Sequence, residues 1–140
     1  MGEVGKRETA RTEANAEGGA ASKGEANRLL EERTLTFGVS VVRFVSALPK
    51  SDTGSVIGRQ LLKSGTSIGA NYREANRAES RDDFIHKTAL VLKESSETRY
   101  WLELCERVSL GEPAKIAPLL KESSELLAIF ATINRRAKGR

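Results

Sequence analysis

Four basic residues within one short stretch of the chain are those best suited to binding a ligand. Arg73 and Arg77 are spaced one helical turn apart, Arg81 follows after a turn, and Lys87 comes later. Guanidinium and ammonium groups bind phosphate oxygens through charge-assisted hydrogen bonds, so a shared surface would bind the backbone of RNA or DNA. The same stretch also contains four acidic residues: Glu74, Glu79, Asp82 and Asp83. They leave open the alternative that the basic side chains are paired within the chain.

A second group of polar residues lies on or near apolar helical stripes. Its members are Ser64, Ser67, Asn71 and Glu74 in one segment, with Ser95 and Glu97 in the next. One interpretation is that Asn71 or Glu97 forms a hydrogen bond across a helical bundle and fixes its register. The alternatives are a polar binding groove and an interface between subunits, and Trp101 is predicted to belong to such an interface.

The composition argues against catalysis. The chain has one histidine, His86, and one cysteine, Cys105, so neither a Cys/His zinc site nor a di-iron bundle can be assembled. The glycines do not form a phosphate-binding loop, and no hydrolase triad is available. We therefore expect a protein that is not an enzyme and has no cofactor or metal. No apolar run suits a membrane span, and we expect a cytoplasmic protein with a net charge of +4.

Four periodic segments predict an all-α protein, an antiparallel up-down-up-down four-helix bundle over residues 29–140. Residues 1–28 are polar and small and predict a disordered N-terminal tail. Pro49 ends the first segment, and Ser80 with the acidic residues that follow it is an N-cap signal for the third. Gly111 is expected to end the third helix, and Pro118 suggests that the regular fourth helix starts near it. Connections this short favour antiparallel neighbours.

The second segment, about residues 55–77, contains Gly58, Gly65 and Gly69. Each glycine costs about 1 kcal/mol relative to alanine inside a helix, which allows either a break or a close approach by a neighbouring helix. The apolar stripe stays in phase across the glycines and no proline intervenes. One unbroken helix is therefore the prediction.

Three stretches of the chain resemble the bacterial four helix bundle protein family. They are the run from Ser64 to Ala75, the triplet Asp83-Phe84-Ile85, and the run from Ser95 to Leu104. Its members are encoded by intervening sequences of large-subunit ribosomal RNA genes, and its relatives serve as accessory proteins of diversity-generating retroelements. The similarity covers about residues 34–133.

The resemblance implies a bacterial cytoplasmic four-helix bundle that assembles into a ring-like homopentamer. The retroelement relatives are thought to bind nucleic acid through a basic surface and to partner a reverse transcriptase. The family has no established catalytic residues. By motif position, Asn71, Glu74 and Glu97 are the family's recurrent polar positions.

Together these observations predict a non-catalytic homo-oligomer that binds RNA or a ribonucleoprotein through phosphate contacts. The alternative is a protein–protein adaptor without nucleic-acid affinity, in which Trp101, Tyr100 and Tyr72 form an aromatic contact surface.

Overall fold

The computed structural model describes residues 2–139 of the chain, and the side chains of residues 22–139. The helices are α1 (Gly2–Ser46), α2 (Asp52–Asn76), α3 (Arg81–Arg107) and α4 (Pro113–Lys138), and no strand occurs over these residues. The chain divides into two compact units, Met1–Glu32 and Arg33–Arg140. The all-α prediction is confirmed. The predicted disordered tail, residues 1–28, falls largely outside the described side chains and stays a prediction.

Within Arg33–Arg140 the helices pack as antiparallel neighbours. Along α1, Thr34 faces Gly69 and Val41 faces Gly65, so α2 runs in the opposite direction. Arg81 and Ile85 of α3 meet Ala137 and Asn134 of α4, again in reversed order. Arg33 meets Glu122 and Phe44 meets Gly111, which sets α1 antiparallel to α4. The predicted four-helix bundle is confirmed.

The core is formed by one buried, mainly apolar stripe from each helix. The fully enclosed aliphatic residues include Val41, Leu61, Ile68, Val91, Leu102 and Leu126. Phe130 is also enclosed, and its ring meets that of Tyr72 edge-on at a centroid distance of 5.0 Å. Burial of such side chains supplies most of the free energy that holds a bundle together.

Helix α2 is unbroken, as predicted, because its glycines lie against α1. Gly58, Gly65 and Gly69 are all buried, and a Cβ atom on Gly65 would lie 2.9 Å from both methyl carbons of Val41. Small residues at these positions let the backbones of two helices approach closely. The close approach explains why α2 tolerates three residues of poor helix propensity.

The N-cap of α3 agrees with the sequence prediction, whereas the start of α4 and the end of α3 differ from it. Ser80 caps α3, accepting a hydrogen bond from the Asp83 N–H. Helix α4 begins at Pro113 instead of near Pro118, and it continues through Pro118 because this proline faces solvent.

The glycine signal predicts the end of α3 two residues too late. The left-handed residue that follows the helix is Ser109, with φ of 56°, rather than Gly111. The N–H of Leu110 donates to the Cys105 carbonyl and that of Ser109 to the Glu106 carbonyl, which is a Schellman arrangement. Gly111 has its own reason to be glycine, because its φ is 91° and a Cβ atom would lie 2.7 Å from the Phe44 ring.

A bidentate ion pair joins α1 to α4. The Arg33 guanidinium donates from Nε and Nη2 to the two Glu122 oxygens, at 2.9 and 2.6 Å, and Nη2 also reaches Glu125 at 2.8 Å. Hydrogen bonding from Arg33 lowers the pKa of Glu122, and the carboxylate raises the pKa of Arg33. The two residues are 89 positions apart, beyond any local sequence signal.

Glu122→Gln is expected to lower the free energy of unfolding at neutral pH and to have no effect in acid. The lowered pKa of Glu122 means that its stabilisation is present above the ordinary carboxyl pKa of about 4.3 and is lost as the pH falls through the folded-state pKa. Urea midpoints measured from about pH 7 to about pH 2 test this. Glu125→Gln is the control, because its carboxylate is half exposed and should show a smaller dependence. A Glu122→Gln effect that persists in acid would contradict the assignment.

Candidate nucleic-acid interface

Arg73 and Arg77 lie at the C-terminal end of α2. Arg73 is in the last turn, and Arg77 is the C-cap residue, whose backbone N–H bonds the Glu74 carbonyl. Both side chains are exposed. Within the described part of the chain, neither forms an ion pair or a side-chain hydrogen bond. The described contacts therefore do not support the alternative interpretation that Arg73 and Arg77 are paired within the chain.

Arg81 connects this region to the end of α4. It is the first residue of α3, and its Nε donates to the Ala137 carbonyl at 2.8 Å. A cation at this place also faces the negative end of the α4 dipole. The bond brings the α2–α3 turn against the last turn of α4, where Arg135, Arg136 and Lys138 are exposed. We call the resulting surface the basic end, consisting of Arg73, Arg77, Arg81, Arg135, Arg136 and Lys138.

Lys87 is paired instead of free. Its Nζ lies 2.9 Å from Glu74 Oε2, and the hydrogen bond with Glu74 raises the pKa of Lys87. Intramolecular pairing therefore describes this member of the predicted set. The pair also removes Glu74 as a competitor for the neighbouring arginines.

The balance of charge at the basic end is positive. With the Glu74–Lys87 pair set aside, its six cations share the surface with three acids, Glu79, Asp82 and Asp83. Asp82 and Asp83 lie in the first turn of α3, beside the positive end of that helix dipole. The electrostatic potential that an approaching polyanion meets at the basic end is therefore positive.

The C-terminal arginines were missed by reasoning from sequence. A cluster of basic residues near the end of a sequence is typical of a solubilising tail, so its composition alone does not indicate a binding site. The structure instead places Arg135 and Arg136 on a regular helix. The sequence did contain one signal for this role. The cluster lies in the last turn of an amphipathic segment, where a helix fixes the direction in which the basic side chains extend.

The predicted polar positions of α2 form local bonds. The Ser67 hydroxyl donates to the Lys63 carbonyl at 2.6 Å, and Asn71 Nδ2 donates to the Ser67 carbonyl at 2.9 Å. Glu97 is exposed on α3. The cross-bundle hydrogen bond expected of Asn71 or Glu97 is made by Asn134, whose Nδ2 reaches the Ile85 carbonyl at 3.0 Å and Thr88 Oγ1 at 2.9 Å.

The side of α3 next to α2 holds two buried polar atoms without partners. Over the described residues, Glu94 Oε2 and Trp101 Nε1 have no hydrogen bond. Burial, and then the charge of Glu97, raise the pKa of Glu94, while Lys93 and Lys63 act in the opposite direction. An unpaired buried polar group costs about 1–3 kcal/mol. Each of these two atoms therefore lowers the stability of the fold.

The aromatic surface proposed for an adaptor loses one member. Tyr72 is 2% exposed and belongs to the core. Tyr100 is 56% exposed, and its ring meets that of Trp101 edge-on at 5.0 Å. Of the three aromatic residues, only Tyr100 and Trp101 on α3 are therefore placed to contact another molecule.

The other candidate chemical groups are apart from one another. Cys105 is buried, which raises the pKa of its thiol, and His86 is exposed near the start of α3. Over the described residues there is no group of three or more His, Cys, Asp or Glu side chains placed to hold a metal ion. Likewise, none of the helices there combines the length and apolar character needed to cross a membrane.

Comparison with known proteins connects this architecture to a family. Residues 30–132 match the model of the 23S rRNA-intervening sequence protein family. The chain is 37% identical to a protein of unknown function from the S23 ribosomal protein family of Bacteroides thetaiotaomicron VPI-5482, solved by crystallography. That similarity covers 78% of this chain and 97% of the other, with a TM-score of 0.72. Comparison with curated proteins finds no match. On the match over residues 30–132, this chain belongs to the 23S rRNA-intervening sequence protein family.

Proposed function

We propose that this protein is a non-catalytic homo-oligomeric bundle that binds RNA through phosphate contacts at the basic end. The observation that carries the proposal is the Arg81–Ala137 hydrogen bond, because it places the start of α3, which follows the arginines of α2 by a short turn, against the last turn of α4 at one end of the bundle. Separate clusters of two or three cations would bind a polyanion weakly. Six cations at one end of the bundle would bind it with an affinity that grows with each phosphate contacted.

The proposed mechanism is counterion release without base readout. Each guanidinium that replaces a condensed cation on the RNA backbone contributes about one unit to the slope of log K against log salt. Arg77 and Arg136 are the best candidates for direct contact, because both are exposed and neither has a side-chain partner among residues 22–139. Arg81 has a positioning role, since its Nε already donates a hydrogen bond to the Ala137 carbonyl of α4.

The oligomeric part of the proposal is supported by exposed aliphatic side chains on α1 and by the family resemblance, which implies five copies. Several copies in one assembly would present several basic ends to one RNA. Multivalent contact raises the apparent affinity without any new contact within each site.

The test is a salt titration of RNA binding by the full chain. Wild-type protein is expected to bind a structured RNA with micromolar or tighter affinity near 0.1 M salt, with a linear loss of log K against log salt. Arg77→Glu/Arg136→Glu should weaken binding at least about tenfold and lower the slope by about two.

The matched control is Arg59→Glu/Lys115→Glu, which makes the same change in net charge with exposed residues near the other end of the bundle. Equal losses in the two double variants would contradict the assignment to the basic end. Absence of wild-type binding even at low salt would contradict RNA binding altogether and favour the adaptor alternative.

A further inference from the structure

A groove lies between α1 and α4, at the end of the bundle opposite the basic end. Its volume is about 1000 Å³, at the upper limit of the range for small-molecule sites in proteins. We call it the α1/α4 groove. The side chains of Phe44 and Leu119 lie at its base, and the exposed apolar area along its sides belongs to Ala47, Ala114 and Pro118. The surface that it offers a ligand is therefore mainly apolar.

Both ends of the groove are bounded. At one end its lining includes Glu122, whose two oxygens accept the hydrogen bonds from Arg33. At the other end the lining includes Pro49 of the α1–α2 connection and Ser109 of the α3–α4 connection. The α1 residues of the lining span about 18 Å along the helix axis. A groove of this length that is bounded at both ends suits a small ligand better than a continuous polypeptide.

The charge of the groove favours an anion. Arg43 and Lys115 line its α1 and α4 sides, both are exposed, and neither has an ion-pair or hydrogen-bond partner among residues 22–139. Of the two acids in the lining, Glu122 is bound by Arg33. The other, Glu112, is the N-cap residue of α4 and lies beside the positive end of that helix dipole. The uncommitted charge is therefore net positive and complements an anionic ligand.

The two cations also lie at similar levels along the bundle. Gly111 lies beside the Phe44 ring, and α4 then runs back along α1 because the two helices are antiparallel. Lys115 comes about one helical turn after Gly111, so its level on α1 is within about one turn of Arg43. Both side chains are long, and they approach the groove from opposite sides. One anionic group can therefore form charge-assisted hydrogen bonds with both of them.

We propose that the α1/α4 groove binds a small amphipathic organic anion. The apolar body of this ligand lies along the groove, and its anionic group is bound by Arg43 and Lys115. Medium-chain fatty carboxylates and aromatic carboxylates share this chemistry. The proposal does not depend on RNA binding, because the groove and the basic end lie at opposite ends of the bundle.

The test is a fluorescence titration of the full chain with anilinonaphthalene sulfonate, an aromatic anion that reports apolar surface. Wild-type protein is expected to bind this probe saturably. Arg43→Gln/Lys115→Gln should weaken binding at least about tenfold, because it removes two charge-assisted contacts. N-phenylnaphthylamine has the same rings without the sulfonate, so it should bind the wild type and the double variant equally.

Two matched controls assign the probe to the groove. Arg59→Gln/Lys121→Gln makes the same change in net charge at exposed positions outside the lining, and it should leave binding unchanged. Ser40→Trp should block the probe, because Ser40 is an exposed residue of the lining. Ser46→Trp, also exposed on α1 but outside the lining, should have no effect. Unchanged circular dichroism melts would show that each variant is folded.

Competition then identifies the ligand class. Displacement of the probe by dodecanoate alone would indicate an aliphatic tail, and displacement by naphthoate alone would indicate an aromatic one. Displacement by neither would overturn the proposed class. Equal losses in the two glutamine double variants, or full binding by Ser40→Trp, would overturn the site.

Two further outcomes would also overturn the proposal. Probe displacement by structured RNA would show that the groove belongs to the RNA surface. Probe binding that falls as the protein associates in sedimentation velocity would show that a second copy occupies the groove. An RNA-binding protein that binds no probe would remove this site while leaving the basic end intact, and a probe-binding protein without RNA affinity would do the reverse.

Discussion

Gly65→Val is expected to destabilise the bundle by at least about 3 kcal/mol, at the upper end of what overpacking a core costs. A Cβ atom at this position would already lie 2.9 Å from both Val41 methyl carbons. Val41 is completely buried and β-branched, so its side chain has no alternative place to go. Relief requires α1 to move away from α2, which opens the core beside both helices. Urea unfolding at a fixed protein concentration measures the loss.

Gly38→Ala is the matched control for this prediction. Gly38 is buried on α1, but the nearest atom to an added Cβ is the Thr66 Cα at 3.9 Å, an ordinary contact. Alanine should therefore be tolerated and add up to about 1 kcal/mol through helix propensity. Equal destabilisation by both substitutions would show that the close approach at Gly65 is not what makes that position special.

The continuity of α2 could be predicted because it depends on a periodic pattern. Its apolar stripe stays in phase across Gly58, Gly65 and Gly69, and a break would have shifted that phase. The Ser80 cap was equally accessible, since its partner Asp83 is three residues away. Local bonds of this kind leave local signals.

The end of α3 and the start of α4 were harder to predict, because local sequence signals compete there with tertiary contacts. Ser109 adopts the left-handed conformation that glycine usually takes, while the buried Leu110 holds the following backbone. Gly111 is needed for a different reason, its contact with the Phe44 ring. Two positions after α3 have a positive φ, but only one of them is a glycine. The position nearer the helix is Ser109, and the glycine is Gly111.

The candidate site was only partly predictable. The spacing of Arg73, Arg77 and Arg81 indicated a shared surface, and the structure gives two of them no side-chain partner within the described residues. The contribution of α4 could not be predicted, because the bond from Arg81 to Ala137 joins residues 56 positions apart. Contacts at that separation depend on how helices pair, which periodicity alone does not specify.

The exposed row of apolar side chains on α1 shows a different limit to prediction from sequence. Leu35, Val39 and Val42 lie beside the core stripe, and a helix with two apolar rows can use the second for another helix or for another chain. Within the described residues, α1 has α2 and α4 as neighbours, and the second row stays exposed between α1 and α2. The sequence thus contained the signal, but the fold was needed to show that neither of these two helices covers it.

Asn134→Ala is expected to lower the free energy of unfolding by about 2–3 kcal/mol, combining two lost hydrogen bonds with a small cavity. Asn134 is 5% exposed, and its amide crosses from α4 to the Ile85 carbonyl and Thr88 Oγ1 of α3. The two bonds hold α4 in one register against α3 and so position the last turn that carries Arg135 and Arg136. A less regular register should also weaken RNA binding by the folded variant.

The control for Asn134 is the same substitution at Asn71. Its amide bonds the Ser67 carbonyl within α2, and the side chain is only half-buried. Asn71→Ala should therefore cost less than about 1 kcal/mol, the value of a single exposed bond partly offset by the better helix propensity of alanine. Urea unfolding of both variants at the same protein concentration compares them directly. If Asn71→Ala proves as costly as Asn134→Ala, the register is held by α2 polar contacts after all, as the sequence first suggested.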